Sequence, residues 1–206
     1  ESLGDAGQVV VIAHDSKSLT SQERVNNFIA EIQNNHPNMS VAGPYYMDQI
    51  DDIKKTIAEQ QLDIVPVEGQ ELDEEQQTAL DDAIAQITDE DIYNYILEMN
   101  PDVKGIFATN GDTTMQALTA CEGKDMKDVV IMGYDADQEE IDAMKDGRIA
   151  GMIVQNPYGM GYATVVAEAR CVLNMGNEAN VNTGYTWVTP DNIDDESVQN
   201  ILYAEK

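Results

Sequence analysis

The stretch that decides the fold is residues 101–135, PDVKGIFATNGDTTMQALTACEGKDMKDVVIMGYD. Two short apolar runs, GIFAT and VVIMG, each lead into a polar residue, Asn110 after the first and Asp135 after the second. Between them Met115, Leu118 and Thr119 recur at spacings of three and four, the period of a helix rather than a strand. Strand, helix and strand in that order make the parallel βαβ unit. In an open parallel sheet ligands bind beyond the carboxyl ends of the strands, and Asn110 and Asp135 sit at two such ends. An amide both donates and accepts, and an ionised carboxylate only accepts. The pair suits a ligand covered in hydroxyls.

Outward from this unit the same alternation continues. Gln8–Ala13 (QVVVIA) is a continuous apolar run of strand length, which reads as a buried parallel strand. A helix follows, capped by Thr20 or Ser21, with Val25, Phe28, Ile29 and Ile32 as its apolar stripe, and it stops before Pro37. Met39–Ala42 is a second strand. Asp51–Gln61 reads as a helix, Asp63–Val67 as a small strand and Glu71–Ile87 as an acidic helix with Leu80, Ile84 and Ile87 inward. Thr88 or Asp89 caps a further helix through Met99, with Ile92, Tyr95, Ile96 and Met99 inward, ended by Asn100-Pro101. Beyond the central unit, Gln138–Lys145 is a helix closed by Asp146-Gly147, Ile149–Val154 a fifth strand, and Tyr158–Met175 a long helix ending at Gly176. Thr186–Val188 is a short strand and Asp194–Tyr203 an amphipathic tail helix. Five strands alternating with helices up to Gln155 predict an α/β doubly wound parallel sheet. There is no internal repeat.

The 206 residues carry a formal net charge of -28, with 42% apolar residues. That apolar fraction is ordinary for a globular chain, so the charge reads as a solvated surface rather than disorder. The acidity argues against nucleic acid and anionic membranes, which need Lys and Arg to neutralise phosphate. No apolar run approaches membrane-spanning length, and no signal peptide is visible. The two cysteines, Cys121 and Cys171, lack any metal-type or framework spacing and read as small buried hydrophobes. The acids of 68–91 lack the spaced loop of a calcium site and read as a solvated helix face. His14 and Asp15 have no nucleophile with a recognisable elbow nearby, and no set of nucleophile, base and oxyanion donors can be assembled anywhere. The chain does not read as an enzyme.

Several motifs, taken together, carry a family resemblance: Glu23, Arg24 and Phe28 on the first helix; NPDVKGIFATN at 100–110; VVIMGYDAD at 129–137; AMKDGRIAGMIVQNPYGMGY at 143–162; and WVTPDNID at 187–194. In this order they resemble the C-terminal half of the ribose/galactose-type periplasmic sugar-binding proteins, the type I solute-binding proteins of ABC transporters. The resemblance covers nearly the whole chain except an acidic insertion at about 49–88. It implies a C-terminal ligand-binding lobe over 1–155, a segment 156–190 that would return to an N-terminal lobe missing here, and a tail over 191–206. Gln155 would lie at a hinge crossing. The ligand residues it implies are Arg24, Asn110, Asp135 and Gln155, with Met47 where the family often has an aromatic stacked on the sugar; Tyr45 or Tyr46 could take that part instead. The family usually has Asp after the strand-end Asn, where this chain has Gly111 and then Asp112. No cofactor is implied.

The function so implied is the substrate-binding component of an extracytoplasmic sugar uptake system. It would hold a small sugar or polyol between two hinged lobes, and a membrane permease would read the closed form. Two alternatives share the fold: the effector-binding core of a sugar-responsive repressor, and an extracytoplasmic sugar sensor. With one lobe missing, the apolar face of the 158–175 helix (Val165, Val166, Ala169, Val172, Leu173) needs a cover. The expectation is a dimer through that face, or poor order there.

Overall fold

The computed structural model describes residues 3–4, 6–65, 67 and 72–202. It is an α/β chain that divides into two compact units, 1–131 and 132–206.

The first unit is built on three parallel strands in the order β2-β1-β3: β1 (Gly7–Ala13), β2 (Met39–Tyr46) and β3 (Val103–Ala108). The middle strand is the one with the unbroken apolar run, and Val9 to Ala13 are at most 3% exposed. A strand covered on both faces has no reason to alternate. Helix α1 (Leu19–Asn35) buries Val25 and Ile32, and its Phe28 ring stacks on Phe107 of β3 with centroids 4.1 Å apart. Three helices separate β2 from β3: α2 (Asp51–Gln61), α3 (Glu74–Gln86) and α4 (Asp89–Met99). Helix α5 (Gly111–Gly123) follows β3 and buries Ala117, Leu118, Ala120 and Cys121.

Most predicted elements are present, and the departures have local causes. The cap of α1 is Ser18, not Thr20 or Ser21: the Ser18 hydroxyl accepts the Ser21 N–H, so the helix starts earlier. Strand β2 runs four residues beyond Ala42. It passes through Gly43, whose φ of +91° and close approach to Val11 O and Tyr45 N (2.8 Å from an added Cβ) leave no room for a side chain. The small strand read at Asp63–Val67 is absent among its described residues. There the end of α2 unwinds through Asp63 (φ +53°), and the Ile64 N–H is spent on Glu59 O. Helix α3 begins at Glu74, capped by Asp73 in a capping box with Gln76, and Glu71 lies outside the described residues. On α4 the buried face is Ile92, Tyr93, Ile96 and Leu97, while Met99 is 58% exposed. Ile92 and Ile96 are buried as predicted, and Tyr93 and Leu97 take the places read for Tyr95 and Met99.

The second unit holds most of β4 (Val130–Tyr134), then α6 (Gln138–Lys145), β5 (Gly151–Gln155), α7 (Pro157–Val172), β6 (Tyr185–Val188) and α8 (Glu196–Gln199). β4 and β5 are parallel; β5 and β6 are antiparallel, with Ile153 opposite Trp187 and Gln155 opposite Tyr185. Its core is Ile141, Met144, Ile149, Met152, Val154, Val188 and Ile193, all at most 3% exposed. Helix α7 stops at Val172, short of the predicted Met175, where Asn174 turns left-handed (φ +54°). The tail helix shrinks to four residues, and Tyr203 lies outside the described residues. Both cysteines are free, and Cys171 is exposed rather than buried. Its sulfur accepts from Asn177 Nδ2. Among the described residues no helix is long and apolar enough to cross a membrane, and no group of three or more His, Cys, Asp or Glu could hold a metal ion.

Candidate functional site

In the first unit the polar residues gather at the carboxyl ends of the strands. Arg24 lies one turn into α1, half-buried, and donates from Nη1 to the carbonyl of Thr109, the residue after β3. One N–H of the guanidinium is thereby spent on backbone. Asn110 is the N-cap of α5. Its Oδ1 accepts the Thr113 N–H (3.0 Å) and the Thr113 hydroxyl (2.7 Å), and the Thr113 hydroxyl reciprocates at the Asn110 N–H (3.2 Å). The oxygen is committed to the helix, which leaves the Nδ2 amide as the donor end of the Asn110 side chain rather than a group free to play either role. Asp112 stands exposed in the first turn of α5, where the helix dipole favours an acid.

Met47 is half-buried just past β2, its N–H bonded to Ala13 O (2.9 Å). Of the two tyrosines before it, Tyr45 is tied away: its hydroxyl accepts from Asn100 Nδ2 at 3.0 Å. His14 sits at the end of β1 against Thr109, with its N–H donated to the Thr109 hydroxyl (3.0 Å) and its Nδ1 2.7 Å from the same oxygen. Its Nε2 lies 3.2 Å from Asp15. The Asp15 carboxyl is held below its usual value, first by the Ser18 N–H and then by the Ser18 hydroxyl.

In the second unit Asp135 follows β4 with φ at +74°, a left-handed backbone that Asp tolerates better than most residues. Strand β5 holds it at two points. The Asp135 N–H donates to Ile153 O (3.1 Å), and Gln155 Nε2 donates to Asp135 Oδ1 (3.1 Å). Gln155 and Asp135 are thus brought together, as their strand-end positions on neighbouring strands require. Trp187 lies on the same unit, its ring stacked over Gly151, where any Cβ would come within 2.3 Å of the indole.

Sequence reasoning missed Thr109 and Asp48. Thr109 is fully buried and joins His14 to Arg24; Asp48 accepts from both the N–H and the hydroxyl of Ser16. The available signal for Thr109 was its place: the last residue before a strand-end cap.

Parallel strands with polar groups anchored at their carboxyl ends, seen in each unit by itself, place the chain in a class, the α/β proteins whose ligand sites lie beyond strand ends. The chain belongs to the periplasmic binding protein domain family, which matches residues 1–171. Over 66 residues it is 35% identical to the ribose import binding protein RbsB of Salmonella typhimurium, covering 32% of this chain and 22% of that one. Among solved structures it is similar to a carbohydrate transporter solute binding protein of Agrobacterium radiobacter in complex with D-arabinose (TM-score 0.71, 22% identity, 96% of this chain and 55% of that one). It is also similar to an ABC transporter solute binding protein of Agrobacterium vitis bound with alpha-D-tagatopyranose (TM-score 0.72, 20% identity, 99% and 57%). At such identity the likeness is one of fold. The chain spans just over half the length of these solved proteins and about a fifth of the curated relative's length in its aligned stretch.

Proposed function

We propose that this chain contributes the C-terminal half of an extracytoplasmic solute-binding protein that captures a small sugar or polyol for an ABC permease. The observation that carries this reading is that each unit, taken by itself, anchors polar groups at its strand ends: Arg24 and Asn110 as donors in the first, and Asp135 with Gln155 hydrogen-bonded to it in the second. A hydroxyl matches each of them, and the charge-assisted bonds of Arg24 and Asp135 contribute about 1.5–3 kcal/mol each against about 1 kcal/mol for the neutral amides. Met47 supplies the apolar contact for a sugar face. In the same reading, 1–155 is the ligand-binding lobe with its acidic insertion at about 49–88. Residues 156–190 return towards a second lobe, and 191–206 come back. Capture works by hinged closure without covalent chemistry.

The names of similar proteins support the ligand class: ribose import for one, D-arabinose and alpha-D-tagatopyranose bound in two others. The test is calorimetric titration of the full-length protein with pentoses, hexoses and cyclitols. Tight binding of one sugar is the expected result. A folded protein that binds none of them would overturn the reading.

A further inference from the structure

The loop between β1 and α1, residues 14–18, is tied on two sides. On the inner side stands Thr109. Its hydroxyl oxygen accepts the His14 amide N–H at 3.0 Å and meets His14 Nδ1 at 2.7 Å. The Asp15 carboxylate facing Nε2 can only accept, so the ring proton goes to Nε2 and the Thr109 hydroxyl proton serves Nδ1. In the neutral ring Nδ1 is therefore the acceptor and the proton sits on Nε2, which faces Asp15 Oδ2 at 3.2 Å with Ser18 Oγ at 3.5 Å. The carbonyl of this same Thr109 takes the Arg24 guanidinium. One buried residue thus sets the loop and the arginine together.

On the outer side stands Asp48, just past β2. Its Oδ1 accepts the Ser16 N–H (2.8 Å) and its Oδ2 the Ser16 hydroxyl (3.0 Å), with Lys17 Nζ 3.6 Å away. Gln49 Nε2 donates to Ser16 Oγ at 2.9 Å. Within the loop, Asp15 Oδ1 accepts the N–H of Lys17 (2.6 Å) and of Ser18. The backbone donors of residues 14, 16, 17 and 18 all end on side-chain oxygens. A surface loop has water for its donors and needs none of this. Tying four of the five donors of residues 14–18 selects a single loop shape.

We infer that Thr109 and Asp48 are positioning residues for the site: they hold residues 14–18 and Arg24 in the ligand-ready arrangement before a ligand arrives. The ligand half of this inference rests on the polyol reading above; the loop half does not. The size of the effect follows from pre-organisation. A loop that is competent only one-tenth of the time binds about tenfold more weakly.

The experiment uses the whole protein in a His36→Gln background, which leaves His14 as the one histidine ring observed. Three quantities are read in Thr109→Val, Thr109→Ser and Asp48→Ala. They are the imidazole nitrogen spectrum of His14, amide hydrogen exchange at Ser16 and Lys17, and calorimetric affinity for D-ribose, D-arabinose and D-galactose. Thr109→Val should lose the Nε2–H tautomer signature and weaken the bound sugar about tenfold, and Thr109→Ser should restore both. Asp48→Ala, at the surface and without risk to the core, should speed Ser16 exchange at least tenfold and weaken the same sugar. An unchanged His14 spectrum in Thr109→Val overturns the inference. So does an unchanged affinity in both Thr109→Val and Asp48→Ala once Ser16 exchange has risen. If the unsubstituted chain binds none of the three sugars, the polyol reading and the ligand half fail together. The loop half then stands or falls on the His14 spectrum and Ser16 exchange.

Discussion

Arg24→Ala and Asp135→Ala each remove one charged partner, so each should weaken polyol binding about ten- to a hundredfold, measured by calorimetry against the parent chain. The two differ in the unliganded protein. Arg24→Ala takes one donor from the Thr109 carbonyl but keeps ordinary helical backbone, whereas Asp135→Ala puts a Cβ-bearing residue with no polar side chain at φ +74° and strands Gln155. Melting temperature should therefore fall more for Asp135→Ala. The thiols give a second single-residue test. Burial, with Glu122 beside it, pushes the Cys121 thiol up to about 11, so it is protonated and shielded at neutral pH; Cys171 is exposed. A thiol reagent should label one site per native chain quickly and the second only on unfolding; two fast sites would contradict the buried place of Cys121. At this scale the sequence was a partial guide. Strand-end position made Asn110 and Asp135 legible, because an apolar run announces where it stops. The direction of their hydrogen bonds was not legible. That Asn110 spends its oxygen on Thr113, or that Thr109 unites His14 and Arg24, depends on distances of a few ångströms between residues up to 95 apart in the chain.

Among the elements, the start of α1 separates two readings of one sequence. Ser18, Thr20 and Ser21 are all plausible caps by residue type, and only the backbone decides. With Ser18 as the cap, Ser18→Ala should cost about 1 kcal/mol in denaturant unfolding. The Ser21 hydroxyl is buried and has no hydrogen-bond partner among the described residues. Ser21→Ala should then be neutral or slightly stabilising, since it removes an unmet polar group and adds a better helix former. A loss in Ser21→Ala larger than in Ser18→Ala would reverse the assignment. Helix α4 carries a pH dependence. The Thr88 hydroxyl, and then its N–H, hold the Asp91 carboxyl below its ordinary 3.8. A lowered carboxyl contributes stability that is complete above 3.8 and is lost as the pH falls through the folded value. Asp91→Asn should flatten the acid limb of the stability curve below about pH 4, and an unchanged limb would count against the capping box. Periodicity located nearly every helix and strand, but it misplaced half of the α4 face and read a strand at Asp63–Val67 that is absent among the described residues there. Tyr93 and Leu97 are buried where Tyr95 and Met99 were read, because the neighbours that choose between adjacent faces lie elsewhere in the chain.

For the molecule as a whole, charge and apolar surface pull in opposite directions. No residue of α7 is buried, and Val165, Val172 and Leu173 are 65%, 82% and 67% exposed. Two copies paired through this face would cover it, yet each copy carries a net charge of -28. Added salt screens that repulsion. The weight-average mass from light scattering should rise with sodium chloride, and Val165→Glu with Val172→Glu should abolish the rise. A mass independent of salt in the unsubstituted chain would remove the second copy as occupant. The family was legible in the order of several motifs, whereas the division at 131 and 132 lies within a run that reads as one strand. Trp187 bears on how such experiments are watched. It is the sole tryptophan, lies flat over Gly151 and remains 41% exposed. The intrinsic emission of this protein therefore reports one seam, β5 against β6. Gly151→Ala would expel the indole and shift the spectrum to the red while leaving far-ultraviolet dichroism nearly intact. An optical melting curve followed at tryptophan is then a record of that seam parting, and dichroism is needed beside it to see the first unit unfold.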